Sequence, residues 1–253
     1  MPIAPLLKAE NLAIRFDGIT VLERACIEVA EGQCVGLVGE NGCGKTSLLN
    51  VLSGADHVTL GTIFFLTDRG TLTDVTRWPA WRRARMGLLQ FFQSPHIWRN
   101  LTVREHVLAA ATDHSLDGSL IGTACWSLSS SLRRRTRARC DDLLDFVGLA
   151  DRSNDRACDL SFGQRKLVGL ARLLAAPVRR MLLLDEPTAG IAPELIVRMI
   201  DLLRKVRASG VGMLVVEHDR EMLNDLADTV IELRQGQILS FEEVASNEQT
   251  GSA

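Results

Sequence analysis

The sequence offers no apolar run long enough to cross a bilayer, so no membrane-spanning helix is expected. It carries no surplus of positive charge. The formal net charge is -2, and no global basic field points to nucleic acid. Its start, Met1-Pro2-Ile3-Ala4-Pro5-Leu6-Leu7, lacks the basic residues and apolar core of a secretory signal. No internal repeat and no heptad run is visible. The six cysteines (Cys26, Cys34, Cys43, Cys125, Cys140, Cys158) include no C-x-x-C pair. They read most simply as reduced thiols, buried or semi-buried, in a cytosolic protein. What remains is a soluble globular composition, 46% apolar and 24% charged, in 253 residues. That length is enough for one large domain or two small ones.

One stretch stands out. Gly39-Glu40-Asn41-Gly42-Cys43-Gly44-Lys45-Thr46-Ser47 has the spacing G-x-x-x-x-G-K-T of a phosphate-binding loop. The apolar segment Cys34-Val35-Gly36-Leu37-Val38 precedes it and reads as a buried strand. Leu48, Leu49 and Leu52 follow at helical spacing. Strand, glycine loop and helix are the context this motif needs. The glycines let several N–H groups turn inward, and the helix N-terminus adds a partial positive charge. Lys45 is placed to reach the outer phosphates of a nucleotide, and Thr46 to offer its hydroxyl to Mg²⁺. The plainer alternative is a glycine turn with a solvated lysine. Cys43 reads as a small tolerated side chain or as a reactive thiol.

Around this loop the chain reads as follows. Leu7–Phe16 and Val21–Val29 alternate apolar and polar residues about Asp17-Gly18, as two strands joined by a turn. Phe16 is a core aromatic on sequence alone. Gly61–Leu66 reads as a strand, and Trp78-Pro79-Ala80-Trp81-Arg82-Arg83-Ala84-Arg85 opens a short helix. Met86–Phe92 reads as a buried strand ending at Gln93. Ser94-Pro95-His96-Ile97-Trp98 is loop. Ile97 and Trp98 are either local core or an exposed anchor. From about Val107 to Asp159 strand signals vanish and helical patterns take over, with 113–122 as a polar loop. Arg133, Arg134, Arg135, Arg137 and Arg139 form a basic cluster, read as a solvated face near Asp141 and Asp142 or as an anion site. The α/β pattern then returns. Leu160-Ser161-Phe162-Gly163-Gln164 opens a helix to Ala176, and Pro193 starts another through Ala208. Met181–Leu184 and Gly212–Val216 are buried strands. Thr229–Leu233 and Gln237–Leu239 form a hairpin, and the tail from Ser246 is polar.

Four further side chains stand at strand ends, where open α/β sheets place ligands. Asp185 closes an apolar strand and fits the carboxylate that faces Mg²⁺ in a phosphate-loop NTPase. Glu186 follows and fits a general base on water, or a second carboxylate around the metal. His218, after another apolar strand, can hydrogen-bond a γ-phosphate, although a lone histidine is more often structural. Gln93 can contact Mg²⁺ or the attacking water. Ser161 and Gln164 have the spacing of a capping box, and Ser161 with the Gly163 N–H also makes an anion site.

In this order, Gly39 to Ser47, Gln93, Leu160 to Gln164, Met181 to Asp185, Glu186 and His218 resemble the ATP-binding subunits of the ABC transporter family, over about Leu7 to Leu239. The resemblance implies an α/β fold: a P-loop NTPase core with an N-terminal antiparallel β-subdomain and an inserted α-helical subdomain. It implies one ATP-binding domain, with 1–92 and 160–245 as the core, 93–159 as the insertion and 246–253 as a flexible tail. It implies ATP and Mg²⁺ as ligands. Gly39, Asn41, Gly42, Cys43, Gly44, Lys45, Thr46 and Ser47 surround the phosphates, and Phe16 stacks on adenine. Thr46, Gln93 and Asp185 serve the metal, and Glu186, His218, Gln93 and Lys45 the hydrolysis. A head-to-tail dimer is implied with a second ATPase subunit, identical or not. There Ser161, Gly163 and Gln164 of one chain complete the site of the other. Transmembrane permease subunits, and for an importer an extracytoplasmic substrate-binding protein, are the other implied partners, with no nucleic acid. The location implied is the cytoplasmic face of the membrane.

Glu217-His218-Asp219, Ala189-Gly190-Ile191-Ala192-Pro193, Phe92-Gln93-Ser94-Pro95 and the long helical insertion look like the ATPases of branched-chain amino acid importers, a group that includes amide and urea importers. Gln90-Phe91 departs from the Arg-Thr usual there, and Ala192 stands where many members have aspartate. The tail also lacks the group's Ala-Tyr-Leu-Gly-like ending. The alternatives are the ATPase of a lipopolysaccharide or lipid exporter, or a soluble ATPase acting on DNA or ribosomes. A single unit without a heptad run argues against the last.

Overall fold

A computed structural model describes the chain over residues 5–16, 18–68, 70–111 and 130–239; the side chains of 16 and 130–133 are outside that description. Alternating side chains at the start of the chain give two long antiparallel strands, β1 (Pro5–Phe16) and β2 (Ile19–Ala30). Leu22, Ala25, Ile27 and Val29 of β2 are buried, with exposed residues between them. β4 (Leu60–Leu66) pairs with the other side of β1, and β5 (Leu72–Asp74) with β4, for a sheet of order β2-β1-β4-β5. β5 escaped the sequence reading, since three residues are too few to show a period.

The second sheet has the order β10-β9-β3-β8-β7-β6. It comprises β3 (Cys34–Val38), β6 (Leu88–Phe91), β7 (Met181–Asp185), β8 (Gly212–Val216), β9 (Thr229–Arg234) and β10 (Gln237–Leu239). All neighbours run parallel except β10 against β9. β3, β7 and β8 are buried at every residue, which is why they read as unbroken apolar runs rather than alternations. One core joins the two sheets. Leu12 and Ile14 of β1 share it with Leu37, Leu183 and Leu214, and with Leu48, Leu49 and Leu52 of α1 (Lys45–Ser53).

The chain divides into two compact units. The first runs to Gln93, resumes over Arg180–Ala189 and continues from Leu203, and so holds both sheets. It also holds α1, α2 (Ala80–Arg85) and α7 (Arg220–Leu226). The second is Ser94–Arg179 with Gly190–Leu202. It contains α3 (Val103–Ala111), α4 (Ser130–Phe146), α5 (Phe162–Ala175) and the first part of α6 (Pro193–Ala208). Val103 and Val107, Cys140 and Leu144, and Leu167, Val168 and Ala171 are the buried faces of its first three helices. Arg104 ties this unit together by donating to Asp141, Ser153 and Asn154. Asp141 therefore pairs with Arg104, on another helix. Of the arginine cluster, Arg134, Arg135 and Arg137 are exposed, while Arg139 donates to the Ala176 carbonyl that follows α5. The expected polar loop 113–122 and the tail 246–253 lie outside the described residues. No helix among the described residues is long and apolar enough to cross a membrane.

Candidate functional site

The phosphate-type loop joins β3 to α1. Gly39 has φ 155°, and a Cβ there meets the Leu233 carbonyl oxygen at 2.4 Å and Cys43 Sγ at 2.8 Å. Gly44 has φ 108°, and a Cβ would lie 2.7 Å from Val21 Cγ1. No side chain fits at either position, so the glycines of the motif are dictated by space as well as by backbone conformation. Gly44 is the N-cap of α1 and offers no side-chain cap, which leaves the first N–H groups of the helix to an anion. Asn41 and Gly42 are exposed at the loop tip, and Cys43 and Ser47 are half-buried. Lys45 is 6% exposed, and its ammonium donates to the carbonyls of Gly39 and Glu40, each at 2.8 Å. The loop thus wraps its own cation. Thr46 Oγ1 lies 3.4 Å from Asp185 Oδ1, at the end of β7.

β6, β7 and β8 are neighbours, and their carboxyl ends bring together side chains that are far apart in sequence. Glu186 follows β7. Its Oε2 accepts from Gln93 Nε2 at 2.5 Å, and its Oε1 from His218 Nε2–H at 2.9 Å. Gln93 comes from the segment after β6, and His218 from the segment after β8. Glu186 has φ 46°, a left-handed conformation that a glutamate enters at a cost of about 1–2 kcal/mol. Its N–H donates to the Val216 carbonyl at 2.9 Å, which anchors the strained residue to β8.

Glu217 was legible only as a neighbour of His218. It is 3% exposed, and its Oε1 accepts from Thr188 N (2.8 Å) and Thr188 Oγ1 (2.6 Å). It thereby grips the turn that follows Glu186. An acidic residue directly after a wholly apolar strand was the available signal. Asp219 caps α7 by accepting from the N–H groups of Glu221 and Met222.

Ser161, Gly163 and Gln164 belong to the helical unit. Ser161 is the exposed N-cap of α5. Its Oγ accepts from Gln164 N at 3.2 Å, and Gln164 Oε1 accepts from Ser161 N at 3.0 Å, a complete capping box. At Gly163 a Cβ would meet Leu195 Cδ1 at 2.6 Å, so α5 and α6 approach too closely there for any side chain. Trp98 is 50% exposed, with its ring 5.3 Å from that of the buried His106. The Arg172 guanidinium lies 4.6 Å over its ring. The Trp98 main-chain N–H donates to Nε2 of the buried His106 at 2.9 Å, which leaves the other ring nitrogen to donate to the Thr102 carbonyl at 2.8 Å. Burial, more than any charge, pushes the His106 pKa below the ordinary histidine value, with Arg172 acting in the same direction. The Phe16 side chain lies outside the described structure.

For a divalent cation the donors available are oxygens, from Thr46 and Asp185 side by side with Gln93 at the neighbouring strand end. That suits Mg²⁺, which takes one or two carboxylate or hydroxyl ligands and completes its shell with phosphates and water. Among the described residues no cluster of three His, Cys, Asp or Glu side chains could hold a metal ion by itself.

The family model described as "ABC transporter" matches residues 22–189. The high-affinity branched-chain amino acid transport ATP-binding protein LivG of Salmonella typhimurium is 29% identical over 247 residues, 96% of this chain and 94% of that protein. The corresponding transport ATP-binding protein BraF of Pseudomonas aeruginosa is 29% identical over 234 residues, 92% of this chain and 89% of that one. The chain is also similar to a crystal structure of the ADP conformation of an ATP-binding cassette of an ABC transporter. There the TM-score is 0.78 and the identity 26%, with 96% of this chain and 94% of that chain covered.

Proposed function

The chain belongs to the ABC transporter family as one of its ATP-binding ATPases, and on that premise we propose that it powers a membrane importer of branched-chain amino acids or related amides or urea. The relatives it matches along most of their length are named as transport ATP-binding proteins for branched-chain amino acids, which favours this substrate class over lipid export. The observation that carries the catalytic part is the convergence of Gln93 and His218 on the Glu186 carboxyl group.

In this reading Glu186 takes a proton from the water that attacks the γ-phosphate. Gln93 and His218 fix its two oxygens, and with them the direction from which it can act. When the phosphates arrive, Lys45 exchanges the Gly39 and Glu40 carbonyls for phosphate oxygens. The N–H groups from Asn41 to Ser47 close around them. Phe16 stacks on adenine. Thr46, Asp185 and Gln93 would hold Mg²⁺, which would supply charge neutralisation on the phosphates. Ser161, Gly163 and Gln164 serve a second ATPase subunit placed head to tail, and the exposure of Ser161 at the head of α5 suits that role. The remaining partners are permease subunits, reached through the surface around Trp98, and an extracytoplasmic binding protein. The chain then works at the cytoplasmic face of the membrane.

Glu186→Gln keeps the shape of the side chain and removes the base. The variant is expected to bind ATP, to hydrolyse it at least a hundredfold more slowly, within the range that general bases contribute, and to accumulate as an ATP-bound dimer. Size exclusion with and without MgATP, beside a phosphate-release assay, reads both effects. Turnover at the parent rate would remove Glu186 from the reaction.

A further inference from the structure

Residues 75–93 contain four arginines, Arg77, Arg82, Arg83 and Arg85, and no acidic residue, in a chain whose net charge is -2. The structure sorts the four. Arg83 is 2% exposed. It donates to the carbonyls of Val51 and Leu52 at the end of α1, and to those of Thr76 and Trp78. Burial pushes its pKa down to about 10, still well above neutral pH, so it stays charged as it caps the negative end of α1. This inward anchor fixes the roll of α2. Trp81, Arg82 and Arg85 are thereby left on the outside, with Arg77 exposed just ahead of the helix.

Trp81 is 61% exposed, among the largest apolar exposures of the described residues, and the Arg85 guanidinium lies 5.4 Å over its ring. One turn face away, Arg82 stacks on Trp78 at 3.7 Å. Trp78 and Arg82 form one wall of an open cavity of about 610 Å³ whose other wall includes Thr67, Thr71 and Thr73. Asp68 also lines that cavity and is paired with Arg180 at 3.4 Å. Asp74, the acid preceding the stretch, accepts from Thr76 N and Oγ1 and offsets the charge of Arg77.

We infer that this face of α2, with Trp81 as the apolar anchor and Arg82 and Arg85 as the cations, binds the surface of an anionic lipid bilayer. An indole whose ring is half in water, flanked by guanidinium groups, matches the boundary between acyl chains and phosphate headgroups. The charge complementarity is local, as a bilayer surface requires. A nucleic acid would demand a longer basic track than the two outward arginines of α2 supply. The cavity beside Arg82 is large enough to admit one headgroup against the threonine hydroxyls. The inference goes beyond the proposed function and does not depend on ATP chemistry.

The test uses the full chain and protein-free vesicles of phosphatidylcholine, with and without phosphatidylglycerol, by co-sedimentation at low and high salt. The parent is expected to sediment with the phosphatidylglycerol vesicles only, and to be released by salt. Each arginine near an anionic surface is worth about fivefold in affinity, so the double variant Arg82→Gln, Arg85→Gln should bind on the order of thirtyfold more weakly. Trp81→Ala should also weaken binding, and both variants should keep the melting midpoint and nucleotide affinity of the parent. Absence of vesicle binding, equal binding to both vesicle types, or binding indifferent to these substitutions overturns the inference. If the variants sediment as the parent does yet no longer co-purify with the permease, the patch is a protein contact and the lipid assignment is wrong.

Discussion

Replacing Glu217 tests how the strained Glu186 is held. In Glu217→Leu the volume is roughly kept, but Thr188 N–H and Oγ1–H lose an acceptor at 2.8 and 2.6 Å in a place closed to water. Each buried donor left unpaired costs about 1–3 kcal/mol. Allowing the hydroxyl to rotate to a new partner, a net loss of about 3 kcal/mol is expected, which lowers the melting midpoint of a chain this size by about 6–12 °C. Catalysis should suffer separately. Thr188 stands two residues after Glu186, and loosening that turn lets the backbone leave φ 46° for the relaxed right-handed region. The Gln93–Glu186–His218 alignment then disperses, and with a tenfold loss in rate for each 1.4 kcal/mol or so of misplacement, kcat should fall at least about tenfold. The KM for ATP should change little, since Lys45 and the glycine loop are untouched. Glu217→Gln keeps an oxygen acceptor in the same place and should recover most of both losses. Melting curves and steady-state ATPase on the three proteins give the answer. If the leucine variant matches the parent in midpoint and kcat, Glu217 does not hold the turn. If glutamine is as damaging as leucine, its hydrogen bonds are not the reason it matters.

Two other outcomes follow from the helical unit. Trp98→Ala removes a half-exposed indole and the platform of Arg172, and should abolish co-purification with the permease while leaving ATP-driven dimerisation in place. Loss of thermal stability together with ATPase would instead make Trp98 part of the fold. His106 accepts from Trp98 N–H and therefore must be neutral. Its folded pKa is depressed below the unfolded value of about 6.5. The unfolded chain thus binds the extra proton first. Stability from this residue is complete above about pH 6.5 and declines as the pH falls towards the lower folded pKa. Melting midpoints from pH 7.5 to 5 should show that decline, and His106→Gln should flatten it; an unchanged slope would show that His106 is not its source.

The phosphate loop was legible because its chemistry is local. Gly39, Gly44 and Lys45 lie within one loop, and their spacing alone predicts the strand–loop–helix turn that the structure shows. The sheet strands were legible because burial on both faces leaves runs such as Met181–Leu184 with no polar residue. The meeting of Gln93, Glu186 and His218 was not legible from residues alone. It depends on β6, β7 and β8 being neighbours, and strand order is set by packing rather than by local preference. Family resemblance supplied the three residues without their distances. Arg83 shows the opposite failure. In sequence it is one of several arginines on a short helix. Only the open carbonyls at the end of α1 turn it inward, and they lie about thirty residues away. Arg139 likewise read as part of a solvated face, although it bonds the Ala176 carbonyl.

The places where the chain leaves the sheet unit carry a mechanical meaning. One exit follows Gln93 immediately, and another follows Ala189, three residues after Glu186. Both partners in the 2.5 Å bond between Gln93 and Glu186 therefore stand beside a crossing of the chain. The first residue of the helical unit is one peptide link from Gln93 at one crossing and four from Glu186 at the other, too few to absorb slack.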